Sequence, residues 1–214
     1  MESYHKITTV FTRNPATKYR TLIEGQWAMP EFEYLKDNVW SWSEKVDGTN
    51  IRVRYEDSDD CCEVRFGGRT DSAQIPAFLF ARLQDLFTAG PGLAKVFEPP
   101  VAVTMFGEGY GAKIQKGGGN YIPDGVDFIL FDVMIGGHFL KREDVEDIAT
   151  KLGIDVVPIV GEGTLLEAIE FVRSKPMSTI GTHEMEGLVM RPKVELLNRR
   201  GQRIITKVKV KDFQ

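Results

Sequence analysis

Cysteine is scarce in this chain: there are two in 214 residues, adjacent at Cys61 and Cys62. Adjacent cysteines suit neither a structural crosslink nor a zinc site. A disulfide-stapled scaffold is thereby excluded, and a reducing cytoplasm is the expected setting. Long apolar runs are missing as well, since none approaches the roughly 18–20 residues that a membrane helix needs. The opening Met1-Glu2-Ser3-Tyr4-His5-Lys6 lacks the apolar core of a signal peptide. Neither sign of charge dominates. The 27 Lys and Arg against 31 Asp and Glu leave a net charge of -4, which excludes a generically basic nucleic-acid binder. What is present, 42% hydrophobic and 27% charged residues, is ordinary for a soluble globular protein. The length suits one large domain with ample core, expected to span residues 1–214.

The charge is unevenly placed. From Arg191 to Gln214 there are eight Lys or Arg against two Asp or Glu, a local +6, which leaves about -10 for the rest. Such a stretch is either a solvated basic tail or a phosphate-binding surface.

The chain is organised around Glu44-Lys45-Val46-Asp47-Gly48-Thr49-Asn50. Before it, Val39-Trp40-Ser41-Trp42 alternates apolar and polar, and after it Ile51-Arg52-Val53-Arg54-Tyr55 alternates again, so strands are expected on both sides. One lysine thus stands at a strand end, followed by a turn with an acid, a glycine and an amide. Asp47-Gly48 favours a turn because glycine tolerates φ > 0. Two readings are open: an ordinary hairpin with an exposed lysine, or a lysine nucleophile. An amine attacks only when unprotonated, and the lysine reference pKa is about 10.4. Positive charge or desolvation must help it lose its proton, so further lysines and a metal are expected close by.

The remaining segments suggest an α+β chain. Lys6–Phe11 reads as a strand, followed by a turn at Asn14-Pro15, an extended piece from Tyr19 to Glu24 and a turn at Gly25. Arg13, Lys18 and Arg20 read as surface charge. Asp57-Ser58-Asp59-Asp60 is a turn by composition, and Glu63–Phe66 leads into Gly67-Gly68-Arg69, where an arginine beside paired glycines is placed to grip phosphate or ribose. Ile75–Thr88 has helical spacing and Ala89-Gly90-Pro91-Gly92 ends it. Val101–Phe106 is a buried strand that delivers Glu108 between glycines. The glycine-rich Lys113–Asn120 is either a flexible loop or a substrate loop. Val126–Val133 is the most hydrophobic strand, and its Asp132 needs a partner if buried. Phe131 beside it is either plain core or a flat surface on which a base can stack. Lys141–Leu152 is an amphipathic helix, and a capping box at Thr164 and Glu167 opens another that ends near Ser174. Both read as an outer layer over a sheet. In the strand Ile204–Lys211, a period of two puts Lys207, Lys209 and Lys211 on one face. That row is either an edge protected by lysines or a cationic face for phosphates.

Lys45-Val46-Asp47-Gly48-Thr49-Asn50 resembles the KxDGxN nucleotidyl-acceptor motif of ATP-dependent RNA ligases. These belong to the covalent nucleotidyltransferase superfamily, with DNA ligases and mRNA capping enzymes. Further matches follow in the family's order: Glu108 among glycines, Phe131-Asp132, Glu186-Gly187-Leu188-Val189-Met190-Arg191, and Lys207-Val208-Lys209. Arg69 also resembles the arginine that follows the family's acceptor motif. Asn50 favours the RNA ligase branch, because DNA ligases and capping enzymes usually carry Arg there. The resemblance covers residues 39–211. It implies an α+β nucleotidyltransferase (ATP-grasp-like ligase) domain, with antiparallel sheets around a nucleotide cleft and helices outside. It also implies Lys45 as the nucleophile, forming lysyl-AMP from ATP. Glu44, Asp47, Asn50, Arg69, Glu108, Phe131 and Glu186 would bind the nucleotide, with Phe131 stacking on adenine. Glu108 and Glu186 would hold Mg²⁺ or Mn²⁺. Lys207 and Lys209 would neutralise the α-phosphate, with Lys209 and Lys211 as the other register.

The implied partner is RNA with 5′-phosphate and 3′-hydroxyl ends, in phage-type RNA repair in the cytoplasm, that of an infected host cell included. Many ligases carry a further C-terminal domain. This chain stops three residues after Lys211, so the adenylyltransferase domain alone is expected, with a partner protein as a replacement for the missing module. The rivals are a DNA ligase, a capping-type nucleotidyltransferase and a non-catalytic RNA-binding module with this fold.

Overall fold

The computed structural model describes residues 1–59, 61–88 and 92–214, and the side chain of Cys61 is not described. The helix stop expected over residues 89–92 and the tip of the turn at Asp60 therefore fall wholly or partly outside the described residues. Chain order begins β1 (Thr8–Thr9), β2 (Phe11–Arg13), β3 (Leu22–Trp27), α1 (Pro30–Tyr34), β4 (Trp40–Glu44), β5 (Thr49–Ser58) and β6 (Cys61–Gly67). It continues with α2 (Ala77–Phe87), α3 (Gly92–Val96), β7 (Val101–Gly111), β8 (Val126–Ile135), β9 (His138–Phe139), α4 (Arg142–Leu152) and β10 (Asp155–Val156). It closes with β11 (Ile159–Gly163), α5 (Leu165–Arg173), β12 (Gly187–Pro192) and β13 (Thr206–Lys209). No helix among the described residues is long and apolar enough to cross a membrane.

The chain divides into two compact units. The first holds residues 1–4 and 47–157, the second residues 5–46 and 158–214. The chain passes from the second to the first between Val46 and Asp47, inside the acceptor-like motif.

The first unit is built on a six-stranded sheet in the order β10-β8-β7-β5-β6, with β9 on β8. Its long strands pair antiparallel, and only β10 runs parallel to β8. The apolar positions of β5, Ile51, Val53 and Tyr55, are buried as its alternation indicates, but Arg52 between them is buried too, and the continuous apolar runs in β7 and β8 follow the sequence. The helix α2 buries Leu79, Leu83 and Phe87, and α4 buries Val145, Ile148 and Ala149. These side chains share one core with Val53, Val103, Met105, Phe128, Leu130 and Val133. Each such burial stabilises the unit by about 1.5–3 kcal/mol for the larger side chains.

The second unit carries a five-stranded sheet in the order β1-β13-β12-β4-β11 and a separate β2–β3 pair. Its pairs are antiparallel apart from β1 with β13. The capping box at Thr164 and Glu167 forms, and the helix it opens, α5, buries Leu165, Ala168, Ile169 and Val172. Trp40, Leu188, Met190 and Val208 complete that core. α4 and α5 thus each cover the sheet of their own unit, as their amphipathic patterns indicate.

Four local expectations change. The strands flanking Lys45 do not form a hairpin, since β4 pairs with β11 and β12 while β5 pairs with β6 and β7. β7 does not stop before its glycines but runs through Gly111, because paired strands on both sides continue to supply hydrogen bonds. β3 runs through Gly25 instead of turning there. Gly25, at φ 76°, sits where the β2–β3 register shifts, so it bends the strand without ending it. β13 ends at Lys209, and Val210–Phe213 forms a 3-10 turn that takes Lys211 off the strand.

Candidate active site

In the second unit, sheet order alone gathers three charged residues that are far apart in sequence. β12 lies between β4 and β13 and runs antiparallel to both. The last residues of β4 and β13 therefore share an edge with the first residues of β12. Lys45 follows β4, Glu186 precedes β12, and Lys209 closes β13. Gly187 allows the approach: a Cβ there would lie 2.1 Å from the Val208 carbonyl oxygen. Backbone bonds fix the register, with Lys45 N–H donating to Gly187 O at 2.9 Å and Val210 N–H to Glu186 O at 3.0 Å.

The Glu186 carboxylate joins the two lysines. Lys45 Nζ donates to its Oε2 at 2.6 Å, and Lys209 Nζ donates to its Oε1. All three side chains are largely withdrawn from solvent, with exposures of 21% for Lys45, 17% for Lys209 and 12% for Glu186. Burial by itself raises the Glu186 carboxyl, but the two ammonium groups outweigh it and hold the group below its ordinary value. The cluster carries one excess positive charge, so its complement is an anion. Lys207 lies on the same face of β13 as Lys209, two residues back and half-buried, whereas Lys211 is exposed on the 3-10 turn.

Glu44 is placed differently from the expectation of a nucleotide contact. It is 1% exposed, and its carboxylate accepts from Ser178 Oγ at 2.5 Å, Thr179 N–H at 2.8 Å and Thr179 Oγ1 at 2.7 Å. That use is internal: it ties the segment before β12 to the end of β4, next to Lys45. Nothing in the sequence near Ser178 announced it.

The first unit arranges the other residues of the motifs. Asn50 and Glu108 are partners across β5 and β7. Gly48 is needed for close approach rather than for a turn with φ > 0. A Cβ on it would lie 2.3 Å from Gly109 O and 2.7 Å from Glu108 Cγ. The glycine-rich segment after β7, with Tyr121 next to it, makes contact with the acceptor motif. Gln115 Nε2 donates to Gly48 O at 3.0 Å, and the Asp47 N–H donates to Tyr121 Oη at 3.1 Å. Buried Asn50 Oδ1 accepts no hydrogen bond among the described residues, leaving an acceptor that a hydroxyl or amine of a ligand can satisfy.

Phe131 owes its position to a β-bulge. Phe106 pairs with Asp132 and Gly107 with Leu130, so Phe131 has no opposite residue. It is half-buried between fully buried neighbours, and bulges re-aim a side chain in this way. Buried Asp132 has the partner it requires, since Tyr4 Oη donates to it at 2.5 Å. Arg69 is exposed, just past the end of β6. The loop that carries it is held by Arg52, whose guanidinium is 1% exposed and donates to Gly68 O at 2.6 Å and to Asp71 at 2.9 Å. Neither Tyr4 nor Arg52 was singled out from the sequence, because only an alternating pattern marked Arg52 and nothing marked Tyr4.

Among the described residues no three His, Cys, Asp or Glu side chains form a group able to hold a metal. Glu108 and Glu186 stand as single carboxylates in separate units. One or two carboxylates suit Mg²⁺ that arrives with nucleotide phosphates and keeps several waters, rather than an ion caged by protein alone.

The fold is the α+β nucleotidyltransferase fold of known ligase structures. A structure of a Naegleria gruberi RNA ligase mutant with ATP and Mn superposes with a TM-score of 0.67 at 18% identity, over 97% of this chain and 56% of that one. A second mutant of that ligase, with AMP and Mn, gives a TM-score of 0.61 at 21% identity, over 84% of this chain and 52% of the other. The same ligase with PPi gives 0.60 at 20% identity, over 84% and 52%. The chain thus spans about half the length of these ligase structures. Curated proteins yield no match. The sequence model of the RNA ligase family matches residues 38–209. The chain belongs to the RNA ligase family.

Proposed function

We propose that this chain is an ATP-dependent RNA ligase in which Lys45 becomes adenylylated. The observation that carries the reading is the Lys45–Glu186–Lys209 cluster, which sets a strand-end amine beside a second ammonium in a poorly solvated site with net positive charge. The Lys45 amine would attack the α-phosphorus of ATP. An N–P bond forms, the bond to pyrophosphate breaks, and the amine gives up a proton. The 5′-phosphate of an RNA end then takes the AMP from Lys45, and a 3′-hydroxyl displaces AMP to form the phosphodiester. Each step is phosphoryl transfer, in which positioning and charge neutralisation dominate.

Glu186 has a definite part in this before the nucleotide arrives. Two ammonium groups side by side repel, and the carboxylate between them keeps both in place. A lysine attacks only as the free amine, so Lys45 must give up a proton and turn from Glu186 toward the α-phosphorus to react. Nucleotide phosphate can replace that carboxylate as the counter-charge to Lys209, with Lys207 beside it. Glu186 and Glu108 would each offer a carboxylate to Mg²⁺ or Mn²⁺ that arrives with the nucleotide, and the ion would supply charge neutralisation for the pyrophosphate. In the first unit, Phe131 would carry the base, and Asn50, Asp47 and Arg69 would meet the sugar and phosphates.

RNA would be met by what remains free of the basic C-terminal stretch. Lys209 is committed to Glu186, Lys193 to Glu162 and Arg203 to Glu195. Arg199 and Arg200 stand exposed on a tight loop whose Asn198 Oδ1 accepts from the N–H groups of Arg200 and Gln202. Salt-sensitive binding through few phosphates is expected, so a nicked duplex or a partner protein that aligns the ends should favour sealing over free single strands.

The test is incubation with α-labelled ATP or GTP and a divalent ion. An acid-stable, hydroxylamine-sensitive adduct from ATP supports the reading. Labelling from GTP alone points to capping-type chemistry, and no adduct with either nucleotide points to a binding module.

A further inference from the structure

Tyr4 lies outside the residues that match the RNA ligase family, yet it is built into the surroundings of Phe131. Its ring meets Phe131 edge-to-face, with centroids 5.0 Å apart and planes at 76°. It also packs on Phe106 at 5.1 Å and Phe139 at 5.8 Å. Its hydroxyl is anchored on Asp132, which is fully buried and directly follows Phe131. A bulged residue has no ladder partner to fix its ring, so the tilt of Phe131 depends on what packs against it. An edge-to-face neighbour occupies at most one face of a ring.

The segment that carries Tyr4 is itself held. Arg52 Nη1 donates to Met1 O at 2.8 Å and to Glu2 O at 3.1 Å. The same buried guanidinium holds Gly68 and Asp71, on either side of Arg69. Four residues at the start of the chain are therefore tied both to the bulge of Phe131 and to the loop of Arg69.

We infer that Tyr4 is a positioning residue for the nucleotide base, acting by setting the orientation of Phe131. The inference rests on the reading of Phe131 as the surface that carries the base. Its consequence is selective: loss of Tyr4 weakens recognition of the base and spares recognition of the triphosphate.

The experiment compares the wild type with Tyr4→Ala, Tyr4→Phe and Asp132→Asn in the full chain. The ATP dependence of self-adenylation is measured, and binding of ATP and of inorganic tripolyphosphate is measured by calorimetry in a Lys45→Ala background. Tyr4→Ala should raise the KM and Kd for ATP by about tenfold, with kcat changed less than about threefold and tripolyphosphate binding unchanged. Tyr4→Phe keeps the ring packing and should recover most of that loss, while Asp132→Asn should shift ATP and not tripolyphosphate. Equal losses for ATP and tripolyphosphate, or an unchanged ATP Kd in folded Tyr4→Ala, would overturn the inference. If Tyr4→Ala does not fold, as judged by thermal melting, Tyr4→Phe and Asp132→Asn decide on the same criterion. Wild type that binds ATP without forming an adduct would overturn the role of Lys45 alone, and the two Kd values would still decide the role of Tyr4.

Discussion

The second unit carries an ion cluster, and the first carries an aromatic group. In the second, Lys45, Glu186 and Lys209 form one ion cluster, and buried Glu44 is satisfied beside it by Ser178 and Thr179. In the first, Tyr4, Phe106, Phe131 and Phe139 pack together around a bulge. The two constructions fail in different ways. A charge withdrawn from water needs its counter-charge, so removing Glu186 leaves two ammonium groups uncompensated. Removing one ring from a packed aromatic group costs buried area and frees the tilt of the others, and its neighbours can partly close the gap. Substitutions in the ion cluster should therefore act almost all-or-none, and those in the aromatic group should be graded.

The largest effect is expected at Lys45. Lys45→Ala and Lys45→Arg should both reduce the labelled adduct to background, since guanidinium stays protonated and cannot attack. Melting curves should show both variants folded. Substantial labelling in either would place the nucleophile elsewhere and break the contrast at its strongest point.

Glu186→Ala comes next, with adenylation expected to fall about a hundredfold or more through loss of the counter-charge and of the proposed metal ligand. The same carboxylate predicts a pH dependence. Its folded-state pKa is held below the ordinary 4.5, so its contribution to stability is present above that value and is lost as pH falls through the lowered one. Wild type should lose thermal stability over that acidic window, and Glu186→Gln should lose less. Parallel curves for the two would mean that the ion cluster contributes nothing to folding.

Glu44→Ala should destabilise by about 3 kcal/mol in denaturant unfolding, because a buried charge acceptor and the partners of three donors disappear together. A change within about 0.5 kcal/mol would return this carboxylate to the nucleotide. Phe131→Leu tests the graded side: an apolar surface remains without a planar face, so KM for ATP should rise about threefold to tenfold with kcat nearly kept. A loss as complete as that of Lys45→Ala would erase the distinction between the units. The smallest effect is expected from the Arg199→Ala, Arg200→Ala double variant. The slope of RNA affinity against salt on logarithmic axes should shrink by about 1.4, at about 0.7 for each phosphate no longer neutralised. An unchanged slope would show that neither arginine meets phosphate.

Local order was readable wherever neighbouring residues decide it. The alternation in Val39-Trp40-Ser41-Trp42 marked β4, and Thr164 with Glu167 marked the start of α5. The order of motifs around Lys45, Glu108, Phe131, Glu186 and Lys209 was readable as a resemblance, and the family match agrees with it. What misled was local grammar used beyond its range. Asp47-Gly48 looked like a turn, but Gly48 is there because Gly109 and Glu108 press against it. Gly67-Gly68-Arg69 pointed to Arg69 but gave no sign that its loop is held by Arg52, concealed in an ordinary alternating strand.

The sequence by itself determined the elements, their faces and which residue types stand at the strand ends, because hydrophobic period, capping and glycine placement act over a few residues. Tertiary structure alone decided that Lys45 and Lys209 share one carboxylate, that Glu44 turns inward to Ser178, and that Tyr4 reaches Phe131. Apart from Lys209 with Glu186, which meet across neighbouring strands, those pairings join residues more than a hundred positions apart. They are set by sheet order and by the requirement that every buried charge and hydrogen-bonding group find a partner, neither of which is written in any one stretch of the chain.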